Sequence, residues 1–170
     1  MIYLGIGCNL PFRLKEKLKN IDIVIKNLSK FVTIKKISNF YLSPSYPDKT
    51  KPKFINFCVN VDTKMSARKL LIHLKKIEHK MGRIRKYKNA PRTCDIDIID
   101  FRQKIMKTNK LVIPHPQMHL RNFVLYPLNE ISPGWKHPIY NKKIDYFIKS
   151  LTSKSRLEIT RLKKSDIRNL

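Results

Sequence analysis

The chain has 170 residues, 42% of them hydrophobic, enough for one sizeable core and short for two ordinary domains, so a single domain over residues 1–170 is expected. Its formal charge of +25 draws it toward phosphate, in nucleic acid or in a nucleotide, although the lysines are spread along the whole chain and Ala occurs only at 67 and 90, a skew that an A/T-rich gene produces by itself. The apolar start lacks a basic lead-in, no stretch approaches the ~20 apolar residues that span a bilayer, and Cys8, Cys58 and Cys94 have no C-x-x-C spacing; a secretory leader, a membrane anchor, a disulfide framework and a zinc ribbon are not expected, and a cytoplasmic protein is.

Ile2, Leu4, Ile6 and Cys8 alternate with Gly5 and Gly7, which predicts a buried first strand with one face open to close approach. Asn9 is placed to cap a helix whose Leu14, Leu18, Ile21, Ile25 and Leu28 form one stripe. Phe31 to Tyr41 reads as a strand, and Ser43 to Pro52 as a Pro-punctuated loop of functional length. From Phe54 to Val61 the residues alternate: Ile55, Phe57, Val59 and Val61 face a core, while Phe54, Asn56, Cys58 and Asn60 face a ligand. Ser66 caps a second helix with Leu70, Leu74, Ile77 and Met81 on one stripe and Gly82 at its end. A basic loop follows, then a strand from Asp95 to Phe101.

The order β-α-β-β-α-β predicts an α+β, ferredoxin-like βαββαβ core, with an antiparallel sheet carrying both helices on one face, plus a C-terminal extension. In that extension Leu111–Ile113 reads as a short strand, Pro114–Pro127 as irregular, and Ile144, Phe147, Ile148 and Leu151 as one short helix. The basic tail 153–170 is expected to be peripheral.

Residues two apart in a strand share a face, so Asp95 and Asp97 present two carboxylates about 7 Å apart at Cα. Hard oxygens so placed suit magnesium, and two such ions bridged by carboxylate and nucleotide phosphates form a clamp for displacement at phosphorus. Without a cation the pair repels itself. Arg83, Arg85 and Arg92 lie on the loop entering this strand and Arg121 follows later; convergent arginines supply the fixed positive charge that phosphoryl transfer requires. His115-x-x-x-His119 has metal-like spacing, but no Cys or carboxylate cluster accompanies it, and zinc is not expected.

The run Lys88-Asn89-Ala90-Pro91-Arg92-Thr93-Cys94-Asp95-Ile96-Asp97-Ile98-Ile99 resembles the signature of the 6-hydroxymethyl-7,8-dihydropterin pyrophosphokinases of folate biosynthesis. Similar segments follow in family order: Gly7-Cys8-Asn9-Leu10, Phe40-Tyr41-Leu42-Ser43-Pro44, Phe54-Ile55-Asn56, Gly82-Arg83-Ile84-Arg85, and Val112-Ile113-Pro114-His115 through Arg121 to Pro127. The likeness covers nearly all of residues 1–150. It implies transfer of pyrophosphate from ATP to a pterin hydroxymethyl group with two Mg2+ ions held by Asp95 and Asp97. By the same resemblance Arg83, Arg92 and Arg121 are catalytic. Leu71, Lys75, Arg85, Arg92, Ile98, Lys110, Val112, His115 and Arg121 bind ATP, and Ser43, Pro44, Tyr46, Phe54, Asn56 and Phe123 form the pterin pocket. Such a pocket suits a flat heterocycle, stacked on an aromatic ring and matched at its edge by an amide. The chain departs from the family in lacking the Trp that many members carry in the loop between Arg85 and Pro91, and in Cys8, Asp100 and Lys110.

The expected partners are therefore ATP and a hydroxymethyl dihydropterin, with no nucleic acid or membrane, for a monomer. Two alternatives remain: a basic RNA-binding protein, supported by charge alone, and a nucleotidyltransferase using the same Asp pair.

Overall fold

In a computed structural model, which describes residues 1–10, 14–45, 48–82 and 93–163, β1 (Ile2–Cys8) lies between β4 (Phe54–Asp62) and β5 (Asp95–Phe101), antiparallel to both. β2 (Thr33–Ile37) and β3 (Tyr41–Ser43) pair with the other side of β4. The single strand predicted over Phe31–Tyr41 is thus two. Between them Ser38 bonds Cys58 twice, its N–H donating to the Cys58 carbonyl at 3.0 Å and its Oγ accepting the Cys58 N–H at 3.0 Å.

One face of the sheet buries Leu4, Ile6, Ile55, Phe57, Val59, Ile96 and Ile98 against Ile21, Val24 and Leu28 of α1 (Leu14–Leu28) and Leu70, Leu74 and Ile77 of α2 (Ala67–Lys80). This is the expected ferredoxin-like core. Ser66 caps α2, its Oγ accepting the Lys69 N–H, and Gly82 takes φ +78° just beyond the helix end, a conformation open to glycine. Cys8, Cys58 and Cys94 are buried free thiols, as small hydrophobes would be.

The other face is covered too, which corrects two expectations. After a 3-10 turn at Met118–Leu120, residues Asn122–Ile131 form α3, a regular helix running through Pro127 where an irregular segment was predicted. Proline inside a helix costs about 3 kcal/mol. Burying Val124, Leu125, Leu128 and Ile131 at helical spacing returns roughly 1.5–3 kcal/mol for each side chain, so packing wins. Together with α4 (Ile144–Ser150) and Trp135, α3 buries Tyr3, Cys58 and Ile99. Cys58 therefore sits in a second core, and of its face of β4 the Phe54–Asn56 end lines a cavity.

β6 (Met106–Lys107) and β7 (Val112–Ile113) form a hairpin, the latter matching the short strand predicted there. Of the tail expected to be peripheral, the described residues 153–163 pack against the domain. Following α5 (Ser153–Leu157), β8 (Thr160–Arg161) pairs with β3 and Leu162 is buried, because β3 offers an open edge and an apolar contact. Among the described residues no helix is long and apolar enough to cross a membrane.

Asp100, a carboxylate where an apolar residue was expected, is fully buried at the end of β5. It accepts from Trp135 Nε1 at 2.7 Å, Gln103 Nε2 at 2.6 Å and the Gln103 backbone N–H at 3.0 Å. The last bond holds a turn in which Arg102 and Gln103 both have positive φ, a state that disfavours side-chain-bearing residues. Trp135→Phe removes a donor from a buried carboxylate and is expected to lower unfolding free energy by about 1–3 kcal/mol, measured by urea denaturation.

His137 is buried, its Nδ1 accepting the Ile139 N–H at 3.2 Å, among the rings of His119, Trp135, Tyr140 and Phe147. Burial and then His119 push its pKa from 6.5 down to about 4. Between those values the unfolded chain holds a proton that the folded chain refuses. Stability contributed here is therefore complete above about pH 6.5 and is lost as pH falls toward 4. Urea midpoints across that window should fall with acidity, less steeply in His137→Phe.

Candidate active site

The alternation of β5 sends Ile96 and Ile98 into the core and leaves Asp95 and Asp97 partly exposed on the opposite face. In register, Asp95 stands across from Gly7 and Asp97 across from Gly5, so no β1 side chain crowds the carboxylates from that strand. On the open edge of β5, the buried Glu78 of α2 accepts the Ile96 N–H at 2.8 Å, between the two aspartates. Both Glu78 oxygens also accept from Lys75 Nζ, at 2.9 and 3.0 Å, which holds that ammonium at the cavity.

The segment after β7 is docked on the same strand, His115 N–H donating to the Ile99 carbonyl at 3.0 Å. His115 Nδ1 accepts the Gln117 N–H at 3.2 Å, which assigns the ring proton to Nε2. That nitrogen lies 3.8 Å from Asp97 Oδ2, and Arg121 Nη1 lies 4.0 Å from the same oxygen and 3.4 Å from His115 Nε2. Arg121 is steadied by Gln117 Oε1 at 2.5 Å. Burial, and next the Arg121 charge, push the His115 pKa down to about 4, so the ring is a neutral donor near neutral pH. Two donors thus converge where an anionic oxygen now lies.

Beyond the carboxylates the same cavity, about 700 Å³, continues over Gly7 to Ser43, Pro44, Phe54, Asn56 and Phe123. Asn56 is buried and donates from Nδ2 to Ser43 Oγ at 2.9 Å, which orients its amide. A Cβ on Gly7 would stand 3.1 Å from Asn56 Oδ1 and 3.5 Å from Phe54 Cδ1. The Arg121 guanidinium lies 5.6 Å from the centre of the Phe123 ring, linking the two ends of the cavity. Asn9, placed by sequence at a helix start, donates from Nδ2 to Ser45 Oγ at 3.3 Å and to the Pro52 carbonyl at 3.4 Å, tying the base of the 44–53 loop.

Of the residues singled out from sequence, Asp95, Asp97, Lys75, His115, Arg121, Ser43, Pro44, Phe54, Asn56 and Phe123 line this one cavity. Leu71 and Ile98 pack in the first core, while Lys110 and Val112 are exposed at the β6–β7 hairpin; none of these four lines it. Arg83, Arg85, Arg92, Tyr46 and the loop between Arg85 and Pro91 lie outside the described residues. Sequence reading passed over Glu78 and Gln117, and also Ser155 and Glu158, which line the cavity from the C-terminal segment. A Glu three residues after Lys75 on α2 was a visible signal; the strand amide that it meets was not.

Paired carboxylates and convergent cationic donors, opening onto an amide-and-aromatic pocket, are the kind of arrangement that transfer of phosphate groups to a planar substrate needs. The chain belongs to the 7,8-dihydro-6-hydroxymethylpterin-pyrophosphokinase (HPPK) family, whose profile matches residues 3–133. It is 37% identical over 146 residues to the 2-amino-4-hydroxy-6-hydroxymethyldihydropteridine pyrophosphokinase of Aquifex aeolicus, covering 86% of this chain and 89% of that one. The enzyme of the same name from Helicobacter pylori is 41% identical over 129 residues, covering 75% and 78%. Among solved structures, Plasmodium falciparum HPPK-DHPS matches the fold with a TM-score of 0.71 at 17% identity, over 94% of this chain and 47% of that longer one. The family's reaction, transfer of pyrophosphate from ATP to hydroxymethyldihydropterin in folate synthesis, is the function the chain shares, and the RNA-binding alternative is not favoured.

Gly7→Ala should displace the Asn56 amide by a few tenths of an ångström and, with a pterin hydrogen-bonded to Asn56 as proposed below, weaken its binding about two- to tenfold, the worth of one hydrogen bond. Fluorescence titration with the pterin measures it.

Proposed function

We propose that the transfer takes place in the cavity along β5, with Asp95 and Asp97 as ligands for two magnesium ions, ATP along Lys75, His115 and Arg121, and the pterin between Phe54, Asn56 and Phe123. The supporting observation is that the carboxylate pair and the amide-aromatic pocket open into one cavity. The donor set fits a hard cation: two carboxylates on one strand face, with no β1 side chain opposite. Magnesium bound there would neutralise the carboxylates and the phosphates and stabilise charge developing on the transferred group.

The pterin hydroxymethyl oxygen attacks the β-phosphorus. The bond from that phosphorus to the oxygen bridging the α- and β-phosphates breaks, AMP departs, and the hydroxyl proton passes to water. Arg121 and the Nε2–H of His115 supply donors to phosphate oxygens, and Lys75 adds charge. With Nδ1 engaged by Gln117, His115 serves as a hydrogen-bond donor and not as a base. Asn56 reads the pterin's edge and the Phe rings hold its faces. Retention of AMP on the product, as in a nucleotidyltransferase, would require attack at the α-phosphorus; product analysis separates the two. A monomer working in the cytoplasm completes the reading.

Purified chain with ATP, Mg2+ and the hydroxymethyl pterin should yield AMP, with activity removed by chelation and restored by Mg2+. Asp97→Ala should cut turnover more than about a hundredfold and abolish Mg2+-dependent binding of a non-hydrolysable ATP analogue in calorimetry. Its circular dichroism should be unchanged, since removing one of two like charges relieves repulsion. Retained turnover in this variant sinks the metal assignment, and no AMP from the parent chain sinks the reaction.

A further inference from the structure

The C-terminal segment 153–163 forms a wall of the cavity, beyond the reach of the family match at residue 133. It is anchored at both ends. At one end Thr152 Oγ1 accepts the Ser155 N–H at 3.1 Å, and Asn122 Nδ2, next to the pocket residue Phe123, donates to the Ser155 carbonyl at 2.5 Å. At the other, β8 pairs with β3, Tyr41 opposite Arg161 and Leu42 opposite Thr160, and the Leu162 N–H donates to the Phe40 carbonyl at 2.8 Å. β3 ends at Ser43, which orients Asn56, so the segment braces two parts of the pterin pocket.

Between these anchors Glu158 Oε1 meets Lys49 Nζ at 2.5 Å, and both residues line the cavity. Lys49 lies in the 44–53 loop. The loop's base is tied by Asn9, by Ser45 Oγ donating to the Pro52 carbonyl at 2.6 Å, and by Lys17 Nζ donating to the Lys53 carbonyl at 2.8 Å. Its tip is a turn in which Asp48 Oδ1 accepts from the Thr50 N–H at 3.0 Å and the Thr50 hydroxyl at 2.6 Å, presenting Lys49 between them. The Lys49 and Glu158 side chains are 52% and 31% exposed, which puts the pair at the rim and not in the floor.

We propose that Lys49 and Glu158 form a clasp fastening the 48–51 turn to the C-terminal segment across the rim of the cavity, and that this clasp governs how long the pterin stays bound. The inference rests on the pterin reading of the cavity. An exposed pair is a weak and salt-sensitive tie. That suits a gate, which must open in every cycle, and makes the pair an adjuster of residence rather than a determinant of folding. The bond from Lys49 also holds the Glu158 carboxyl below its usual range, which keeps that carboxylate ionised.

The test is stopped-flow fluorescence of pterin release from the full chain with a non-hydrolysable ATP analogue and Mg2+. It compares the parent with Glu158→Gln, Lys49→Gln, and the reversed pair Lys49→Glu with Glu158→Lys. Each single variant should release pterin about two- to fivefold faster, the range open to one exposed pair, and raise the KM for pterin more than it changes kcat. The reversed pair should return toward the parent rate. Raising salt from about 0.05 to 0.5 M should speed release from the parent and scarcely affect the single variants. Variants that match the parent, or a reversed pair no better than the singles, overturn the clasp. A parent chain that binds no pterin overturns the reading of the cavity and the clasp with it.

Discussion

The register of β5 against β1 is the constraint on which the site depends. With Ile6 opposite Ile96 and Leu4 opposite Ile98, the hydrophobic face of β5 is buried and its carboxylates must emerge on the other side. A slip of one residue would drive Asp95 and Asp97 into the core and cast two isoleucines out, exchanging favourable burial for the desolvation of two charges. The same strand then receives the remaining parts. Glu78 grips its amide at Ile96, the backbone of His115 grips its carbonyl at Ile99, and Arg121 follows from that second attachment. Placing the carboxylates and the cations is one event.

Much of this was legible because it depends on alternation and spacing within a single element. β1, β4, α2 and β5 each show one apolar face, and the aspartates and Asn56 follow by counting in twos. What escaped depends on neighbours distant in the chain. Glu78 looks like any surface glutamate of a helix until a strand 18 residues later brings its amide alongside. α3 was hidden because Pro114, Pro116 and Pro127 read as loop, and its packing against the second face outweighs the local preference. The two residues of β8 are too few for any period to show. Ile98, nominated by its motif position, is 4% exposed and packs its side chain in the first core.

Charge has a similar logic. The chain has 12 acidic residues against 37 basic ones, and several of the 12 have structural employment. Asp100 secures a strained turn to Trp135, and Glu78 joins helix to strand. Glu130 accepts from Tyr41 at 2.9 Å and from the Asn39 backbone at 3.1 Å, pinning α3 to the strands. The lysines spread over the surface have looser duties, so a drift in base composition can enrich them freely while the carboxylates are retained by their partners.

The grip of Glu78 and His115 on β5 has a consequence for how the molecule lives in a crowded solution. β5 is the outermost strand on its side of the sheet, and its Asp95-Ile96-Asp97-Ile98-Ile99 stretch is rich in residues that favour strand pairing. An outermost strand with bare amides and carbonyls invites a strand from another molecule to dock and begin a growing stack. Here the outward groups at Ile96 and Ile99 are already engaged by the protein itself. The opposite side ends in β2, whose Lys35 and Lys36 are exposed, and in the two exposed residues of β8, one of them Arg161; charged side chains on an edge discourage pairing. The contacts that assemble the carboxylate face also shield this edge of the sheet from strangers.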